Sequence, residues 1–174
     1  MFIDLSIPLT NDMTVYEGDP AVTITKVHNY ATHTWELRQL TLGSHTGTHM
    51  DAPSHMHKGA QTLSDLPIER FCGVAQIVKP HELFPCGCGL FFIEAADITL
   101  LPKLLAAHPR FVGGAISEML ERALLAEGII TYTDLINLEK VGSAPFMFYG
   151  FPLAIADGDG SPVRAVAHVT ALTK

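Results

Sequence analysis

The sequence predicts an α+β domain built on a mixed β-sheet. Several short runs of apolar or alternating residues are bounded by Gly, Pro and Asp, which is typical of strands, whereas only two segments have helical spacing. These elements follow no strict β–α–β order, which favours α+β over a doubly wound sheet. The 174 residues, 48% of them hydrophobic, are enough to bury a core as a single domain over residues 1–174.

Seven segments have the pattern of strands. The clearest is Trp35–Leu42, in which large apolar residues alternate with charged ones, and this alternation indicates a half-buried strand. The predicted strands are Phe2–Ile7, Val22–Val27, Trp35–Leu42, Val74–Val78, Phe111–Gly113, Phe146–Ile155 and Val163–Leu172.

Two segments are predicted to be helical, a short one over Leu100–Ala107 and a longer one over Ser117–Glu127. In the longer segment Ser117 is suited to cap the first turn, and Gly128 is suited to end the helix. The apolar stripe that we expect to face the core consists of Met119, Leu120, Ala123 and Leu124.

Composition excludes several functional classes. Eleven Lys and Arg against eighteen Asp and Glu give a net charge of −7 without a basic run, so nucleic acid is not an expected partner. No apolar stretch reaches the roughly 18 residues that cross a bilayer. The first ten residues lack a basic region and include Asp4, unlike a signal peptide. We therefore expect a soluble cytoplasmic protein, and its high apolar content indicates a surface covered by another subunit.

The strongest chemical signal is a cluster of histidines. Four of the nine lie within thirteen residues, and His45, His49 and Asp51 are separated by even offsets. On an extended chain even offsets place side chains on one face, and Gly47 and Pro53 disfavour a helix. Two imidazoles and a carboxylate suit Zn²⁺, Mn²⁺ or Fe²⁺. The alternative is a histidine-rich polar surface loop.

Neighbouring residues extend this pattern. His55 is a candidate for a fourth ligand or for a proton-transfer group, because imidazole titrates near neutrality. His57 either supports the site or is simply exposed. The run Asp157–Ser161 resembles a fragment of a calcium loop but lacks the closing acid, so we interpret it as a turn.

The segment His45–His55 reads H-T-G-T-H-M-D-A-P-S-H. It resembles the signature H-x-G-T-H-x-D-x-P-x-H of the cyclase family, which includes bacterial kynurenine formamidase (arylformamidase). The flanks agree: Ile3–Ser6 resembles the opening segment of the family, and Leu135–Leu138 and Gly160–Ala165 resemble its C-terminal third.

The resemblance implies a swivelling β/β/α domain with a mixed-sheet, barrel-like core. It also implies a metal-dependent hydrolase that holds one or two zinc or manganese ions per chain and forms a homo-oligomer, a dimer or tetramer. Carried over to matching positions, it makes His45, His49 and Asp51 metal ligands and His55 the proton donor and acceptor. Tyr16 stands where relatives place an aromatic residue against the substrate.

The resemblance breaks down at the second metal. Formamidases bind that ion through a histidine and a glutamate, and the corresponding positions here are Glu121 and Thr133. Either the second ion is lost, or Glu121 or Glu118 binds it differently, or both glutamates simply form the solvent face of a helix. The implied activity is amide hydrolysis of N-formylkynurenine-like substrates in tryptophan catabolism. The alternatives are hydrolysis of another cyclic amide or lactone, and a non-catalytic relative that binds a small ligand.

Overall fold

The computed structural model describes residues 1–169. These residues form a nine-stranded mixed sheet, a two-stranded arm and three short α-helices. The strands are β1 (Phe2–Asp4), β2 (Thr23–His28), β3 (Leu37–Thr41), β4 (His49–Asp51), β5 (Cys72–Val78), β6 (Gly89–Ala96), β7 (Phe111–Ile116), β8 (Ile130–Thr133), β9 (Phe146–Tyr149), β10 (Gly160–Pro162) and β11 (Val166–His168). The helices are α1 (Tyr30–His33), α2 (Leu101–Ala107) and α3 (Glu118–Ala126). The large sheet has the order β1-β11-β9-β5-β6-β7-β8-β4-β10. This architecture confirms the predicted α+β class.

The centre of the sheet contains a run of β–α–β order that the sequence analysis missed. Strands β5, β6, β7 and β8 are parallel, and α2 and α3 make the two crossovers between β6 and β8. Neither β6 nor β8 was predicted. A parallel strand with helices on one face and core on the other has no polar face, so its sequence lacks alternation.

Both faces of this central region are buried. Phe91 packs with Phe111, Tyr132 and Phe148 on one face, whereas its neighbours in β6 pack on the other face against the two crossover helices. The sheet also curls, because Ser6 forms a β-bridge with Leu135 and brings the chain after β1 to the chain after β8. The result is a barrel-like core.

Residues of the three family-like segments, Ile3–Ser6, Leu135–Leu138 and Gly160–Ala165, contact one another where the sheet curls. The guanidinium of Arg164 donates to both carboxylate oxygens of Asp4, at 2.9 and 2.6 Å. The side-chain amide of Asn137 donates to the backbone oxygen of Asp4 at 2.8 Å. These contacts bring together segments that are far apart in the sequence, 160 residues apart for Asp4 and Arg164.

Two predicted faces are corrected by the structure. Every residue of β3 is exposed, so the predicted half-buried strand over Trp35–Leu42 is wrong: β3 pairs only with β2, and no other part of the described chain covers it. In α3, Met119 is exposed and Leu125 is buried, so the buried stripe is Leu120, Leu124 and Leu125. The predicted cap is confirmed, because Ser117 Oγ accepts from the backbone N–H of Leu120.

Strand ends also differ from the predictions. The strand predicted over Phe146–Ile155 ends at Tyr149, and of Val163–Leu172 the structure has a strand only at Val166–His168. Residues 170–172 of that prediction lie outside the described residues. None of the helices in residues 1–169 has both the length and the hydropathy to cross a bilayer.

Candidate metal centre

A compact histidine–aspartate cluster lies at one end of the large sheet. His45 Nδ1 is 2.6 Å from Asp51 Oδ1, and His49 Nε2 is 3.4 Å from the same oxygen. The Asp51 side chain is 1% exposed, and the three donor atoms lie within 4.8 Å of one another. A buried set of two imidazole nitrogens and one carboxylate oxygen fits Zn²⁺ or Mn²⁺, whose preferred ligands these are. The sequence prediction that these three residues converge is confirmed.

The route by which His45 reaches the cluster differs from the prediction. His49 and Asp51 share a face of β4, as their even spacing requires, but His45 lies in a turn before the strand. Gly47 has φ +61°, a left-handed conformation that breaks the extended chain between the two histidines. Strand periodicity thus explains two of the three side chains, and a glycine turn explains the third.

His45 is packed against the edge strand β10. A Cβ on Gly160 would lie 2.4 Å from His45 Cε1 and 2.7 Å from the backbone oxygen of Met50. Gly160 is paired with Asp51 across the β4–β10 ladder, so little backbone movement is available to relieve the clash. The absence of a side chain at Gly160 therefore makes room for the His45 ring.

We expect Gly160→Ala to displace His45, to weaken metal binding and to cost about 1–3 kcal/mol of stability, as overpacking commonly does. Gly43→Ala is the matched control, because its Cβ would meet only ordinary contacts at 3.6 Å from Pro20 and Thr46. Metal titration and thermal unfolding of both variants test this expectation. Equal metal affinity in the two variants would contradict it.

Two further side chains lie beside His45. The ring of His55, in the turn Pro53–His55 that follows β4, is 3.7 Å from the His45 ring between centroids. Asp159 Oδ2 lies 2.9 Å from His45 Nε2 and 3.5 Å from His55 Nδ1. The sequence pattern predicts only a turn at Asp159, which directly precedes the family-like segment that starts at Gly160.

Glu121 faces inwards, toward the same carboxylate. Thr131 Oγ1 lies 2.8 Å from Glu121 Oε1 and 3.2 Å from Asp51 Oδ2. Glu118 is exposed and pairs with Arg122, so of the two glutamates only Glu118 belongs to the solvent face. A role for Glu121 at a second metal stays a prediction.

The structure also shows the surroundings of Thr133, the other position of the expected second metal site, and of Tyr16, the predicted substrate contact. Thr133 Oγ1 lies 2.8 Å from His49 Nε2, so the residue that replaces the family glutamate contacts a predicted ligand. Tyr16 is 73% exposed, in a turn closed by the backbone N–H of Asp19. The roles of His55 in catalysis and of Tyr16 in substrate binding stay predictions.

The ionisable groups of the cluster shift one another's pKa values. Burial lowers the pKa of His45, but hydrogen bonds with Asp51 and Asp159 outweigh burial and raise that pKa to about 9. Burial raises the pKa of Asp51, yet its contacts with His45 and His49 bring it well below its usual range. For Glu121, burial and the neighbouring Asp51 carboxylate both raise the pKa, to about 8.

These shifts predict a pH-dependent stability of the metal-free protein. Because His45 has a higher pKa in the folded state than its ordinary 6.5, its stabilising effect is complete below pH 6.5 and is lost as pH rises toward 9. Glu121 has the same effect on stability. Its pKa rises from the ordinary 4.5 to about 8 in the folded state, so the stability that its proton contributes is lost as pH rises between these values. We expect a lower Tm at pH 9.5 than at pH 6.5 in EDTA. With saturating Zn²⁺ the difference should shrink, because a ligating His45 is neutral; an equal fall with and without metal would contradict this.

The fold and the cluster together define a class: a mixed α+β domain whose sheet carries a buried site with the donor chemistry of a divalent metal. Within that class the chain belongs to the cyclase family, since the profile of the family described as "Putative cyclase" matches residues 3–103. The resemblance noted in the sequence is thereby confirmed.

Individual relatives agree with this assignment. The kynurenine formamidase of Bacillus thuringiensis (strain Al Hakam) is 27% identical in an alignment that covers 95% of this chain and 96% of the relative. Isatin hydrolase A from Labrenzia aggregata shares the fold, with a TM-score of 0.81 and 19% identity over 98% of this chain and 94% of that one. A predicted metal-dependent hydrolase from Bacillus stearothermophilus has a TM-score of 0.75 and 21% identity over 96% and 97%. The relatives support a hydrolase of the cyclase family.

Proposed function

We propose that the protein is a zinc- or manganese-dependent amidohydrolase that removes the formyl group from an aryl N-formyl amide. The observation that carries this proposal is the largely buried set His45, His49 and Asp51 with a partly exposed histidine, His55, packed against it. The set supplies metal ligands, and His55 supplies a group that can exchange protons beside them. The kynurenine formamidases among the relatives support N-formylkynurenine as the substrate, in tryptophan catabolism.

In this proposal His45, His49 and Asp51 hold the ion, which when bound acts as a Lewis acid and lowers the pKa of water. His55 takes a proton from the water as its oxygen adds to the formyl carbon. The C–N bond then breaks, and His55 returns the proton to the departing amine, so the products are formate and an aryl amine. Partial exposure of His55 lets it reach both solvent and substrate.

The test is turnover by the protein loaded with Zn²⁺ or Mn²⁺ on a panel of N-formylkynurenine, formanilide, isatin and an aryl lactone. Release of formate from the first two supports the proposal. Hydrolysis of isatin or the lactone alone would assign the protein to the alternative substrate class, to which the isatin hydrolases point. No turnover on any of the four, with metal bound, would contradict an amidohydrolase.

An apolar cavity favours a second candidate function, the binding of a small apolar ligand without turnover. The cavity has a volume of about 480 Å³, within the range of small-molecule sites. It is lined by five residues between Leu63 and Phe71 and by residues 151–156, which include Phe151 and Leu153. Saturable binding of an aryl amide that is returned unchanged would support this function over hydrolysis.

We also propose that the protein forms a homo-oligomer, a dimer or tetramer, through the arm formed by β2 and β3. A two-stranded hairpin alone is at best marginally stable in water, yet this arm presents Trp35, Leu37 and Leu40 to solvent. Large apolar side chains that no other part of the described chain covers favour burial against another chain. A second copy of the chain supplies a matching apolar arm.

For this assembly we expect Leu37→Glu or Leu40→Glu to reduce the mass in solution to the 18.9 kDa of one chain. A buried glutamate in an apolar interface has no partner, which opposes association. Leu83→Glu is the control, because Leu83 is exposed elsewhere on the surface. Multi-angle light scattering provides the measurement, and a wild-type mass of 18.9 kDa would overturn the proposal.

The reducing cytoplasm is the compartment we propose. Cys72, Cys86 and Cys88 are all free thiols. Free thiols are typical of proteins in reducing compartments. Fractionation of cells expressing the protein tests the assignment.

A further inference from the structure

We propose that Asp159 is a positioning residue of the metal centre, which orients the His45 ring toward His49 and Asp51. This inference rests on the proposed metal-dependent function and adds a residue to it. Asp159 directly precedes β10 and lies 114 residues after His45 in the sequence.

The geometry around His45 is that of an imidazole held from both sides. Nδ1 is 2.6 Å from Asp51 Oδ1, within the cluster, and Nε2 is 2.9 Å from Asp159 Oδ2, outside it. A neutral imidazole has one N–H and one lone pair. When Nε2–H donates to Asp159, the lone pair of Nδ1 faces the cluster and is free to bind a metal. Carboxylates that accept from a ligating histidine in this way fix its tautomer and its orientation.

The backbone that presents Asp159 is fixed independently of its side chain. The backbone oxygen of Asp159 accepts from the N–H of Ala52 at 2.9 Å, and that of Gly158 accepts from Leu63 at 2.8 Å. The next residue, Gly160, pairs with Asp51 in the β4–β10 ladder. A substitution at Asp159 therefore removes the carboxylate and leaves the chain path in place.

The same residues allow another arrangement, in which Asp159 itself binds the ion together with His45 Nε2 and His55 Nδ1. Burial favours the cluster at Asp51, because the Asp51 side chain is 1% exposed and that of Asp159 is 46% exposed. The two arrangements exclude each other when His45 is neutral, because its single lone pair binds a single metal ion. They also predict different effects of substitutions at Asp159 and His55, so experiment can distinguish them.

The test is titration of the metal-free full-length protein with Co²⁺, followed by its visible absorption, which reports ligand number and geometry. We expect Asp159→Ala to weaken Co²⁺ binding by about 10–100-fold, the usual loss for such a supporting carboxylate, with a changed spectrum. Asp159→Asn should recover part of the affinity, because its amide oxygen still accepts from His45. Asp157→Asn, the matched control in the same loop, should bind as the wild type does, since Asp157 is exposed.

Three results would overturn the inference. Asp159→Ala protein with wild-type affinity and spectrum would show that the carboxylate does not orient His45. Complete loss of Co²⁺ binding in both Asp159→Ala and His55→Gln would place the ion between Asp159 and His55 instead. A wild-type protein that binds no Co²⁺ would overturn the proposed metal-dependent function itself, and the inference with it.

Discussion

Asp51→Ala protein is expected to hold no stoichiometric zinc or manganese and to lose hydrolysis. Asp51 is the centre of the cluster, with His45 Nδ1 at 2.6 Å and His49 Nε2 at 3.4 Å. Removing it takes away one proposed ligand and leaves the imidazoles of His45 and His49 without the carboxylate that balances them. Elemental analysis of metal per chain, beside formate release, measures both losses.

The stability of this variant needs its own control. Removing one partner from a buried ion pair commonly costs about 3–5 kcal/mol, so unfolding could mimic a loss of metal. Asp51→Asn keeps the shape and some hydrogen bonds, and we expect it to remain folded while losing metal. Asp12→Asn changes an exposed carboxylate and should retain both metal and activity. Folded Asp51→Asn protein with full metal content would remove Asp51 from the ligand set.

His55→Ala is expected to have the opposite signature: normal metal content with hydrolysis lowered by about 10²–10⁴-fold, the usual contribution of a general acid or base. The His55 ring packs against the His45 ring but lies outside the set formed by His45, His49 and Asp51. Its loss should therefore remove the proposed proton-transfer group and leave the proposed ligands in place. Single-turnover assays at saturating metal separate these effects.

His57→Ala is the matched control for this variant. His57 Nε2 donates to the backbone oxygen of Arg122 at 2.7 Å, so its ring faces helix α3 rather than the cluster. Its activity should be close to that of the wild type. Unimpaired hydrolysis by His55→Ala protein would exclude His55 from the mechanism, whereas loss of metal would make it a ligand.

Features that depend on residues close together in the sequence were predictable. The even spacing of His49 and Asp51 placed both on one face of a strand, because side chains alternate along any β-strand. Ser117 was recognised as a helix cap for a similar reason, since caps depend on a few adjacent residues. His45 was assigned to the right cluster by the wrong geometry, because nothing in the residue type of Gly47 reveals the sign of its φ angle.

Contacts between distant segments were beyond that reasoning. Asp159 reaches His45 only because β10 pairs with β4, and strand order cannot be deduced from local patterns. The inward orientation of Glu121 depends on how α3 packs beside β8, which places Thr131 between two carboxylates. The exposure of β3 was not predicted for the same reason. Alternating apolar and charged residues show that a strand has an apolar side, but they do not show which segment of the chain, if any, packs against that side.

The pairing of β4 with β10 has a consequence for the order of events during synthesis. A ribosome that has released His45–His55 has yet to make Asp159, and β4 keeps one open edge until β10 emerges. Contacts between such distant segments form slowly, and open edges in incomplete chains are prone to aggregate. Under the proposed function, we therefore expect metal uptake to be a late step of maturation, because Asp159, the carboxylate proposed to orient His45, is among the last residues of the site to be made.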